Sequence, residues 1–187
     1  MGFNSVDNNS GLDNILKQKK DTKKLFAEKL SFQPNLPLVA IVLDQEVSKK
    51  EQGLIRSLIE GMSALDLNLI ILTDQNFALE GDFSTSLRVL PYSRRNRKYL
   101  LEASDIALCF SFNDVEEMLL NGTIPVSLKR KELCDYHPNH ETGNAFIYND
   151  NTAWSAFAAL VRAVETFKFP YDWQGIVRQG MEMECGV

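Results

Sequence analysis

The strongest constraint on the fold is a set of short apolar runs separated by segments of helix length. "LVAIVLD" (38–44), "LNLIILT" (67–73), "DIALCFS" (105–111) and "TIPVS" (123–127) are too short for buried helices and lack an alternating polar face. Such runs suit strands covered on both faces, the condition of a parallel sheet. "SLRVLPY" (86–92) and "NAFIYND" (144–150) add a third and a sixth strand in chain order. The segments between them carry helical periodicity. Leu54, Ile55, Leu58, Ile59 and Met62 form one apolar face, Tyr99, Leu100 and Ala103 a second, and Trp154, Phe157, Leu160, Val161 and Val164 a third. Strands alternating with helices imply right-handed βαβ units. The expected fold class is therefore α/β, a Rossmann-like three-layer sandwich around a parallel sheet of about six strands. One link stands out: "DQNFALEGDFST" lacks helical periodicity and is expected to be a crossover trimmed to a loop.

The chain is long enough for one domain with a sizeable core, at 187 residues of which 44% are hydrophobic and 24% charged. Residues 1–12 are rich in Asn, Ser, Asp and Gly and are expected to be disordered, leaving a single domain over 13–187. An amphipathic helix is predicted over 13–30, with Leu16, Leu25, Phe26 and Leu30 on its apolar side, stopped by Pro34 and Pro37. "DVEEMLLN" predicts a short helix with Asp114 as N-cap and Gly122 just past its end. "YDWQGIVRQGM" predicts the last helix.

Several function classes find little support. A net charge of −5 disfavours a dedicated nucleic-acid binder, and the basic stretches "LKQKKDTKK" and "SRRNRK" have no aromatic platform beside them, so solvated helix faces are expected. There is no apolar run of membrane-spanning length and no signal-peptide core, so a cytoplasmic protein is expected. The three cysteines lack metal-site spacing and are expected to be reduced thiols. Cys134, His137 and His140 lie close in sequence, but a fourth ligand is missing, so no metal is expected; nor is any cofactor. G-x-G-x-x-G, Walker and nucleophile-elbow motifs are absent.

A resemblance extends over roughly residues 21–183. "LLEASDIALCFS" is similar to "YAGADIFLMPS", "GTIPV" matches as it stands, "HETGNAFIYNDNTAWSAFAALVRAV" resembles "GTGF.F......AL..AL.RAL", and "DWQGIVRQGM" resembles "W..L...GM". Together, in this order, these segments resemble the C-terminal domain of bacterial glycogen synthases and plant starch synthases, ADP-glucose glycosyltransferases of GT-B architecture. The resemblance implies one half of a GT-B fold and, in intact family members, glucosyl transfer from ADP-glucose to an α-glucan.

The family's pocket elements are altered at the matched positions. Its "SRL..QKG" segment supplies an Arg and a Lys to the leaving diphosphate, where cations and helix N-termini stabilise the growing charge. Here "LDQEVSKKEQGL" places Gln52 at the Lys position when anchored on Gly53, and Val47 or Gln45 at the Arg position; Lys49 and Lys50 could supply charge only with shifted geometry. The family's "EPCGL.Q" loop is replaced by the shorter "SFNDVEEMLLNGTIP", whose Asp114, Glu116 and Glu117 suit capping and the helix dipole better than acid–base chemistry. Its "TGGL" turn falls on Arg130, Lys131, Glu132 and Leu133, where side chains bar a close backbone approach. The turn "ETGN" (141–144) survives. These substitutions imply a non-catalytic domain with no catalytic residues, acting by binding a protein partner or glucan, or by self-association. Phe169, Tyr171 and Trp173 either pack the last helix or serve a partner surface. Two alternatives are a subunit of a split ADP-glucose glycosyltransferase whose N-terminal half is a separate chain, and a nucleotide-sugar sensor. If ADP or ADP-glucose is held, the resemblance assigns Lys49, Lys50, Gln52, Gly53, Thr142 and Gly143 to it. Neither nucleic acid nor membrane is an expected partner.

Overall fold

The computed structural model describes residues 7–74 and 86–183. Six strands form one sheet: β1 (Leu38–Leu43), β2 (Asn68–Thr73), β3 (Leu87–Leu90), β4 (Ile106–Leu108), β5 (Ile124–Leu128) and β6 (Phe146–Tyr148). Their order is β3-β2-β1-β4-β5-β6 and every pairing is parallel. This is the expected α/β sandwich. All residues of β1 and β2 are buried, whereas edge strand β3 is only half-buried, which is why the central runs are continuously apolar and "LRVL" is not.

Pro125 would be an anomaly in an interior strand, since it cannot donate to a ladder. Ile124 N–H and Val126 C=O bond toward β4, so the Pro125 nitrogen faces β6, and β6 begins pairing only at Val126. The missing donor therefore falls just ahead of the β6 ladder.

The helices are α1 (Asp7–Leu30), α2 (Lys49–Met62), α3 (Arg94–Ala103), α4 (Val115–Leu120), α5 (Ala153–Phe167) and α6 (Pro170–Met181). Two apolar clusters fill the two faces of the sheet. One joins α2, α5 and the Trp173 side of α6; the other joins α1, α3 and α4. The five predicted apolar residues of α2 are all buried. No helix among the described residues is long and apolar enough to cross a membrane.

Four details depart from the sequence expectation. Helix α1 begins at Asp7, inside the stretch expected to be disordered. Leu25, assigned to its apolar side, is exposed. Tyr99 is also exposed, because α3 turns Leu100, Leu101 and Ala103 inward instead. Trp154 is 83% exposed. Helix α5 carries two competing faces, an aromatic one at Trp154, Phe157 and Val161 and a small one at Ala156, Ala159 and Ala163. The alanine face, with Leu160 and Val164, packs inward because small side chains let the helix lie close to its neighbours. The β2–β3 crossover expected to be a loop lies outside the described residues apart from its first residue, Asp74.

Candidate functional site

In open α/β sheets, ligands sit beyond the carboxyl ends of the strands where the strand order reverses. Here that point lies between β1 and β4. Loops 44–48 and 109–114 leave the two strands there, leading to α2 and α4.

The crevice is bridged by the chain's own side chains. Asn113 is buried, its amide oxygen accepts from Phe110 N–H at 2.7 Å, and its amide nitrogen donates to Val42 C=O at 3.0 Å. One carboxamide thus ties the β4 loop to the end of β1. Arg130 donates to Asn113 C=O at 2.8 Å and also to Phe110 C=O. Its guanidinium is spent on backbone carbonyls of the same loop. Phe112 stacks on Phe110, ring centroids 5.9 Å apart. Burial pushes both the Cys109 thiol and the Tyr148 hydroxyl up to about 12, so neither supplies a nucleophile or a base near neutral pH.

The N-terminus of α2 is closed by its own cap. Ser48 Oγ accepts from Glu51 N–H at 3.3 Å, and Ser48 N–H donates to Glu51 Oε2 at 3.1 Å, a capping box. Glu51 therefore holds a carboxylate where an incoming phosphate would meet the helix dipole. Val47 is in the core. Gln52 is half-buried and donates to Val47 C=O at 3.1 Å. Lys49 and Lys50 are exposed at the first turn, and Gly53 is exposed with open space beside it.

Thr142 and Gly143 lie elsewhere. They precede β6, toward the amino edge of the sheet, whereas Lys49 and Lys50 follow β1 at the carboxyl edge. Their turn is closed internally: His137 N–H donates to Thr142 C=O, Gly143 N–H donates to Gln179 Oε1, and Gln179 Nε2 donates to Glu141 C=O, each at 2.8 Å. The six residues assigned to a nucleotide sugar are thus not brought into one site.

The remaining candidates have structural partners. Asp114 caps α4 by accepting from Glu117 N–H at 3.1 Å, and Gly122 takes a positive φ of 64° after it. Glu116 is exposed, and Glu117 pairs with Arg97. Cys134 is disulfide-bonded, so the three cysteines are not all reduced thiols, and its sulfur is not free to join the exposed His137 and His140 on a metal. No group of three metal-ligating side chains gathers among the described residues. In the basic stretch of α1, Lys19 is buried and donates to Leu101 C=O, Ser104 C=O and Thr123 Oγ1, while Lys23 pairs with Asp105 at 2.7 Å. These two lysines hold α1 to the fold, so that face is not wholly solvated. Trp173 is buried against Phe167 and Phe146, whereas Phe169 and Tyr171 are exposed.

Sequence reasoning named Arg130 only as a residue out of place in a ligand turn, and did not single out Asn113. The signal for their bridging role was weak: an Asn just before a cap residue, and an Arg where a glycine turn was expected.

No family model matches the chain, and no curated protein is similar to it in sequence. Solved structures are similar in fold. A glycosyltransferase from Rickettsia africae superposes with a TM-score of 0.61 at 11% identity, over 89% of this chain and 48% of that one. The fold is that of one half of a GT-B glycosyltransferase. TarM of S. aureus, solved with Fondaparinux, α-GlcNAc-glycerol and UDP, gives 0.56 at 9% identity over 81% of this chain and 33% of that one. A UDP-GlcNAc 2-epimerase from Neisseria meningitidis gives 0.56 at 17% identity, over 94% of this chain and 48% of that one. The chain therefore spans between a third and a half of the length of these structures. This likeness is one of fold, shared by glycosyltransferases and an epimerase alike, and does not single out the glycogen and starch synthases.

Proposed function

We propose that this glycosyltransferase-like domain acts by binding, to a protein partner or an α-glucan, and transfers no sugar itself. The observation that carries the reading is the bridged crevice. The Asn113 carboxamide and the Arg130 guanidinium both bond backbone groups where a donor nucleotide would lie, and the cap at Ser48 and Glu51 occupies the adjoining helix N-terminus. Opening the site would leave a buried carboxamide and a guanidinium without partners, at about 1–3 kcal/mol each.

Calorimetry with ADP, ADP-glucose, UDP and UDP-GlcNAc tests the reading; the uridine ligands are included because the similar structures were solved with them. We expect no saturable heat for Kd values below about 1 mM. The exposed Lys49 and Lys50 support the second reading, a nucleotide-sugar sensor or one subunit of a split glycosyltransferase. Submillimolar binding that disappears in Lys49→Ala, Lys50→Ala would establish nucleotide binding and overturn the first reading. Co-sedimentation with glycogen distinguishes glucan from protein as the partner.

A further inference from the structure

A groove of about 620 Å³ opens between α1 and α3 on the face of the sheet opposite α2. Its floor is apolar, formed by Phe26 of α1, Leu72 at the end of β2, Leu90 at the end of β3 and Leu100 of α3. Leu25 and Tyr99, two of the residues that left their expected inward positions, stand at its sides, 54% and 44% exposed. Single exposed apolar residues need no explanation. Two that converge over an apolar floor form a continuous surface able to desolvate a ligand.

The charge at the rim has one sign. Lys29 lies one turn beyond Leu25 on α1, and Arg95 one turn before Tyr99 on α3, so each helix presents an apolar residue and a cation at i, i+4 spacing. Among the described residues neither makes an ion pair, and no carboxylate lines the groove. Arg95 lies over the Tyr99 ring at 5.6 Å and meets no carboxylate among the described residues. Elsewhere Lys23, Arg97 and Arg162 each meet a carboxylate.

We propose that this groove is a binding site for a small organic anion with an apolar body. The apolar part displaces water from Phe26, Leu72, Leu90 and Leu100, and the acid group lies between Lys29 and Arg95. The volume falls within the roughly 300–1,000 Å³ typical of small-molecule pockets. The site is separate from the β1–β4 crevice, so it stands or falls independently of the function proposed above.

Anilinonaphthalene sulfonate, an aromatic anion, is a suitable probe, and phenylnaphthylamine is its uncharged counterpart. Fluorescence and calorimetric titrations of the whole chain should give saturable one-to-one binding of the anion, with the neutral compound weaker by about tenfold or more. The double reversal Lys29→Glu, Arg95→Glu should weaken the anion by at least a similar factor. Leu25→Asp, which puts a carboxylate at the mouth of the groove, should do the same. All three residues are exposed, and melting curves will check that the variants stay folded. Equal affinity in the wild type and the folded double reversal overturns the proposal, as does the absence of saturable binding. Stronger binding of the neutral compound overturns it too.

Discussion

Gly143 and Gly53 were both assigned to the same ligand, and the structure separates them by what surrounds each. A Cβ on Gly143 would meet Asp135 O at 2.5 Å and Tyr136 Cα at 2.6 Å, and its φ is +117°. Backbone, not a movable side chain, is in the way. Gly143→Ala should therefore lose at least about 2 kcal/mol of stability in urea unfolding. Gly53 sits inside α2 with open space around it. Gly53→Ala should gain about 0.5–1 kcal/mol, because alanine gives up less backbone freedom on entering a helix. Opposite signs for the same substitution would tie Gly143 to the turn and Gly53 to neither turn nor contact. The sequence carried the glycine at 143 plainly, since "ETGN" is a turn signal. It could not show that the amide there is already claimed by Gln179, which is 36 residues away.

Helix ends were the most legible elements. Asp114 followed by an apolar run predicted a cap, and Asp114 accepts from Glu117 N–H. Asp114→Ala should cost about 1 kcal/mol in thermal or chemical unfolding. A larger effect on any ligand affinity than on stability would instead assign Asp114 to a site. Helix faces were less legible. In α5 an aromatic and an alanine face satisfy helical periodicity almost equally, and only the distance to the sheet and to α2 selects between them. In α3 the same selection left Tyr99 outside. Periodicity reports that a face exists; when a helix offers two, the partner surface chooses.

For the molecule as a whole, the docking of α1 is the feature that composition concealed. Lys19 is enclosed among Leu101, Ser104 and Thr123, and desolvation by burial lowers its pKa from 10.5 to about 8, against the pull of Asp105. In the unfolded chain it stays protonated to higher pH. Between those two values the unfolded state holds more protons, so this lysine makes stability rise with pH, and its unfavourable contribution is fully present below pH 8. The free-energy difference between wild type and Lys19→Met should shift in favour of the wild type by on the order of 1 kcal/mol from pH 7 to pH 9. Comparing the two proteins removes groups common to both, including Cys109 and Tyr148, whose raised values act in the opposite direction at alkaline pH. A pH-independent difference would mean that Lys19 is solvated in solution.

Sequence by itself determined the class of the fold, the six strands, their parallel sense and the cap of the short helix α4. These follow from local patterns of apolar residues and from turn chemistry, which act over a few residues. Tertiary structure decided which of two faces α5 buries, that two lysines of a basic stretch turn inward, and that Asn113 and Arg130 bridge the β1–β4 crevice. The inward lysines and the bridging side chains reach partners as far as 104 positions away along the chain. Such contacts depend on which strands become neighbours, and periodicity along the chain carries no record of that.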